Sequence, residues 1–243
     1  TYCLQVQIWN KYVYSLNNPL KYSDPDGRRP LTKEDEERLK KLQDAAEVAK
    51  QLGDKDLVEA INRAMIYIKG SIYMVPEGQE DPANLKTVFF AIDNLGNTDY
   101  KTGPDAPAQS FSSNGWTVSV QNSDFKCNFF VGIAWAIGGG IGLGGDGVPV
   151  HGNNGGLGWF SGNGYVPGAN EWANNRVQNF TGTTVPQVGA VVGWAGQGHG
   201  HSAIYIGGGA VIYAQEHTGV KIQTVEYVSK FKDAPAVYNN YKP

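Results

Sequence analysis

Few residues in this chain can act as nucleophiles, bases or metal ligands. It holds two cysteines, Cys3 and Cys127, and four histidines, His151, His199, His201 and His217. A thiol nucleophile needs a base within hydrogen-bond reach and a third group to orient that base. Cys127 begins an apolar, helix-competent run that ends at Gly138-Gly139-Gly140. In the first turn of such a helix the peptide dipoles favour the thiolate, and Lys126 adds to the effect. His201 opens the strand-like run His201–Gly207, directly after the glycine-rich stretch 196–200. From a strand start beside flexible backbone, its ring can project into a cleft. On the next strand, period-two alternation puts Tyr213, Gln215 and His217 on one face, each able to hold an imidazole in one tautomer. Metal binding is the competing chemistry: His199 and His201 lie two apart, with His151, His217 or Asp146 as further ligands. That spacing fits no zinc pattern, so no metal is expected. Gly207-Gly208-Gly209 lacks the Gly-Lys-Ser/Thr of a phosphate loop and reads as a hairpin turn, so no cofactor is expected either.

The elements that must position these groups follow from periodicity. Residues 1–29 read as a short strand and turns, with dense turn chemistry at Asn17-Asn18-Pro19 and Asp24-Pro25-Asp26-Gly27. Residues 30–75 read as a helical hairpin. Thr32 and Asp35 have capping-box spacing, and Leu39, Leu42, Ala46, Ala49 and Leu52 form one stripe. Gly53 breaks that helix and Asp54 can cap the next, whose stripe is Leu57, Ile61, Ala64, Met65 and Ile68. Such a face must pack on something, and docking on the following domain as a plug or partner surface is one use of it. Residues 76–115 look linker-like, with one strand expected over Thr87–Ile92. Residues 116–243 form the domain that carries the chemistry. Its short strands are expected at Trp116–Val120, Val188–Trp194, Ser202–Ile206, Ala210–Gln215 and Val220–Val228. One helix followed by such a run predicts an α+β fold with an antiparallel sheet.

Composition narrows the function classes. A formal charge of −3 and pI near 5.8 give no electrostatic footprint for nucleic acid or anionic membrane. No apolar run is long enough to span a bilayer. Thr1-Tyr2-Cys3-Leu4 lacks a basic and then apolar leader, so no signal peptide is expected there. Residues 132–219 hold 25 of the 32 glycines and only four residues of Asp, Glu, Lys or Arg, whereas residues 33–69 hold 17 charged residues in 37. Two regimes are therefore expected, with the long loop 138–170 forming a wall or lid of a cleft. Trp116, Trp135, Trp159, Trp172 and Trp194 are expected mostly in the core, although aromatics beside glycine-rich loops can also stack on sugars.

Two resemblances to known families sharpen these readings. Tyr12–Gly27, with its tyrosine spacing, Asn17-Asn18-Pro19-Leu20 and Asp24-Pro25-Asp26-Gly27, resembles the end of an Rhs repeat core. Arg28 stands where that family usually has leucine. Lys126-Cys127-Asn128-Phe129-Phe130-Val131 is similar to the cysteine motif of NlpC-type and CHAP-type peptidoglycan amidases. Val185–Val192 resembles their proline-glycine-aspartate strand, with Ala190 in place of the aspartate. His201–Gly207 resembles their histidine strand, Ala210–Ala214 the strand bearing the third catalytic residue, and Pro167–Ala173 a segment of amidase-like toxins.

The second resemblance covers about residues 116–228 and implies a papain-like fold with Cys127 as nucleophile and His201 as base. NlpC-type spacing points to Tyr213 as the third residue and CHAP-type spacing to Gln215. Gln215 is preferred because its amide oxygen can accept from the imidazole. Together the resemblances imply a secreted toxin that hydrolyses amide bonds of peptidoglycan stem peptides in the periplasm or cell wall of a target bacterium. Its implied partners are a cognate immunity protein, an Rhs shell and the secretion machinery. The alternatives are an acyltransferase or protease acting on a cytosolic target, and a non-catalytic glycan-binding tail.

Overall fold

The computed structural model describes residues 27–100, 126–141, 167–177, 179–196 and 200–242, and the backbone of strand positions 109–113, 116–120, 159–161 and 164–165. All but the last residue, Gly27, of the turn segment that resembles an Rhs core lies outside the described residues, as do Cys3, His151, His199, Asp146 and most of the loop 138–170.

Local chemistry builds the hairpin as its pattern predicts. Thr32 caps α1 (Lys33–Gln51): its hydroxyl accepts from Asp35 N–H, and its own N–H donates to the Asp35 carboxylate. Leu39, Leu42, Ala46 and Ala49 are buried, while Leu52, beyond the last turn, is 81% exposed. Asp54 caps α2 (Lys55–Tyr73) by accepting from Leu57 N–H. Arg29 ties the entry to the hairpin, pairing with Asp35 and with Asp81 at 3.0 Å. Burial pushes the Asp35 carboxyl up, but Arg29 and the Thr32 N–H outweigh it and hold the group below its ordinary value.

The expected strand over Thr87–Ile92 is instead a helix, α3 (Ala83–Asp93). Leu85, Thr87, Val88, Phe89, Ala91 and Ile92 are all buried, so the segment has no polar face to mark a helical period. Its β-branched and aromatic residues therefore mimic a strand. α3 lies in the core and is not a linker. A Cβ at Gly138 would come within 2.5 Å of Phe90, and one at Gly139 within 2.6 Å of Thr87. Glycine is what lets the turn after the Cys127 helix sit directly on α3.

The fold is α+β. A six-stranded antiparallel sheet has the order β5 (Phe180–Thr183), β10 (Val237–Tyr241), β6 (Val191–Trp194), β7 (His201–Gly207), β8 (Ala210–Gln215), β9 (Gly219–Thr224). A second antiparallel sheet joins β1 (Gln109–Ser113), β2 (Trp116–Val120), β3 (Trp159–Ser161) and β4 (Gly164–Tyr165), and the short helix α5 (Ala169–Ala173) follows it in the chain. The strand expected over Val220–Val228 stops at Thr224, whose hydroxyl accepts from Tyr227 N–H and caps α6 (Val225–Lys232).

One face of the large sheet shares a core with α1, α2, α3 and α4 (Lys126–Ile133). The other face packs Val192, Trp194, Ala203, Val211 and Tyr213 against Val225 and Val228 of α6. The hairpin thus docks on the sheet. A Cβ at Gly207 would meet Tyr67 at 2.7 Å, and one at Gly208 would meet Arg63 at 2.5 Å. Among the described residues no helix is long and apolar enough to cross a membrane.

Candidate active site

Cys127 is the second residue of α4, which continues through a wider π turn at Ala134–Gly138. Phe129, Phe130, Val131 and Ile133 anchor that helix in the core, and this fixes where its N-terminus points. The thiol faces the N–H and hydroxyl of Ser202, the N–H of Asn128 and the charge of Lys232. Burial pushes the Cys127 pKa up and outweighs these groups, each of which favours the thiolate. At neutral pH Cys127 is therefore a protonated thiol.

His201 begins β7, and its ring is almost fully enclosed. The ring centroid lies 4.6 Å from that of Tyr213 in an edge-to-face contact and 5.8 Å from that of Trp194. Trp194 is itself pinned by its indole N–H, which donates to Ser229 Oγ of α6 at 2.8 Å. Burial, with Lys232 adding to it, pushes the His201 pKa down to about 3. The imidazole is thus neutral across the physiological range.

Strand pleating separates the two groups. Ser202, Ile204 and Ile206 face the α4 side, whereas His201, Ala203 and Tyr205 face the α6 side. Thiol and imidazole therefore approach the start of β7 from its two sides, and among the described residues no hydrogen bond joins them. Two buried polar atoms at this point have no partner among the described residues, His201 Nε2 and Ser202 Oγ. Leaving such an atom unpaired costs about 1–3 kcal/mol, and Trp135 Nε1, Trp172 Nε1 and Asn239 Oδ1 elsewhere in the core bear the same cost.

Gln215 ends β8 opposite Gly219 and is not hydrogen-bonded to His201. His217 lies in the following turn with φ +64°, mostly exposed and 3.6 Å from Glu216. Among the described residues no cluster of histidine, cysteine and carboxylate side chains could hold a metal ion. Trp135, Trp172 and Trp194 are fully buried, so these three rings are core and offer no surface for a sugar. Sequence reasoning missed Ser202 and Lys232. A serine in the otherwise apolar run after His201 was a usable signal for the first. Nothing in the local pattern marked Lys232, whose role comes from the packing of α6.

With this geometry the chain was compared with protein-family models, curated proteins and solved structures, and none of them matches.

Proposed function

We propose that the chain is a papain-like cysteine amidohydrolase, a toxin that cuts amide bonds of peptidoglycan stem peptides. The observation that carries this reading is the buried, neutral imidazole with an unpartnered nitrogen, borne by the residue next to the one that meets the thiol at the start of α4.

In the proposed reaction the imidazole of His201 comes into hydrogen-bond reach of Cys127 and takes the thiol proton. Sγ attacks the amide carbonyl, and the oxyanion is held by backbone N–H groups at the helix start. The C–N bond then breaks as His201 returns the proton to the leaving amine. A thioester remains, and a water deprotonated by the same histidine hydrolyses it, restoring the thiol. The motif-based assignment gives Gln215 the task of accepting from the imidazole N–H. On the Rhs resemblance, the domain reaches its target through a shell and secretion machinery, and a cognate immunity protein protects the producer.

Expression in bacteria tests the reading. The wild type is expected to be toxic when exported to the periplasm and harmless in the cytosol, and Cys127→Ala harmless in both. Toxicity confined to the cytosol would favour a protease or acyltransferase with a cytosolic target, and toxicity that survives Cys127→Ala would end the thiol mechanism.

A further inference from the structure

Two lysines close α6, and they differ in where they stand. Lys230 is exposed, whereas Lys232 is half-buried. Val225, Val228, Ser229 and Lys232 follow the i, i+3, i+4, i+7 spacing of one helix face, and that face is the one laid on the sheet. One turn before Lys232, Ser229 accepts from the indole N–H of Trp194, whose ring lies 5.8 Å from that of His201. The ammonium is thereby carried to the start of β7. Its charge is felt there by Cys127 from one side of the strand and by His201 from the other.

A lysine in the last turn of a helix ordinarily complements the dipole from solvent, and Lys230 serves that purpose. Lys232 is placed differently. Among the described residues no carboxylate pairs with it, and its ammonium lies 5.3 Å from the centroid of Phe231, a ring that is 68% exposed. A partly desolvated cation without a counter-ion, beside a thiol that keeps some exposure, is a seat for an anion that arrives with the substrate.

We infer that Lys232 recognises a carboxylate of the substrate, close to the amide bond that Cys127 attacks. The inference rests on the proposed hydrolysis and deepens it, because it names a group that the substrate must carry. Stem peptides meet that demand, having free carboxylates close to their amide bonds. Lys232 transfers no proton in this role. It donates a charge-assisted hydrogen bond and so fixes where the scissile carbonyl lies relative to Sγ.

The test has two arms, both on the full chain. In the first, alkylation of Cys127 by iodoacetate and by iodoacetamide is followed by peptide mass spectrometry. The reagents differ chiefly in charge, so the ratio of their rates cancels any change in the thiolate fraction. Lys232→Met is expected to lower the iodoacetate-to-iodoacetamide ratio about fivefold, the effect of one charge across several ångströms of partly wet protein, and Lys232→Arg to keep it. In the second arm, a soluble stem peptide is compared with the same peptide amidated at its free carboxylates. The wild type is expected to lose about tenfold or more in kcat/KM on amidation, mostly through KM, and Lys232→Met to cut both peptides equally slowly. An unchanged alkylation ratio in Lys232→Met would overturn the inference. So would a wild type that cuts both peptides equally well, or a Lys232→Met variant that still prefers the carboxylate. If neither peptide is cut, the proposed substrate fails, and the alkylation ratio alone decides whether Lys232 receives a carboxylate beside the thiol.

Discussion

Cys127 and His201 are both displaced from their ordinary titration by the same cause, the removal of water. For His201 this has a consequence for stability. Its folded pKa of about 3 lies below the ordinary value of 6.5, so the unfolded chain binds a proton that the folded chain refuses. The stabilisation is whole above pH 6.5 and is lost as the pH falls from there toward 3. Asp35, whose pKa is also lowered, contributes in the same direction, but only below its own ordinary value of 3.8. Urea midpoints between pH 6.5 and 4.5 are therefore expected to fall further in the wild type than in His201→Asn. An equal decline in both would show that the imidazole is not buried as described. For Cys127 the raised pKa predicts slow alkylation by iodoacetamide at neutral pH, accelerating only above the ordinary thiol range. Rapid alkylation near pH 6 would reveal a preformed thiolate–imidazolium pair.

The elements that place these two residues were unevenly legible. The hairpin was read almost residue by residue, because α1 and α2 each have one wet and one dry face and side-chain caps at their N-termini. β8 was legible to its ends, Ala210 and Gln215, as an apolar run bounded by glycines and a turn. α3 was not, since a helix buried on every side shows no period. The end of β9 was missed because Val225 and Val228 continue an apolar run while the chain turns from sheet to helix at Thr224. Cys127 and His201 could be singled out by residue type and order, but the side of β7 from which each approaches belongs to the pleat and to long-range packing.

That packing makes the hairpin part of the same folding unit as the sheet. Ile61→Ala, at a fully buried site, is expected to cost about 2–4 kcal/mol. It should lower the midpoint of a single unfolding transition reported equally by the helices and by the tryptophans. Gly207→Ala places a Cβ against Tyr67 at φ +100°, and a loss of about 1–3 kcal/mol is expected. Two separate transitions in either variant would contradict the shared core.

At the scale of the molecule, charge and glycine are segregated because they serve different faces. The exposed charged residues of α1 and α2 clothe the outside of the hairpin, in pairs such as Lys50–Glu47 and Arg63–Glu59. Glycines at 138, 139, 189, 193, 207 and 208 sit where another backbone or side chain would collide with a Cβ. The glycine-rich half is thus, in its described part, closely packed structure around the strands that bear His201 and Gln215. The proposed amide hydrolysis by the Cys127 thiol is tested by mass spectrometry of sacculi incubated with wild-type protein and with Cys127→Ala. One new class of fragment, with a freed amine and carboxylate at a stem-peptide amide bond, is expected in the wild-type digest alone. Identical digests from the two proteins would contradict it.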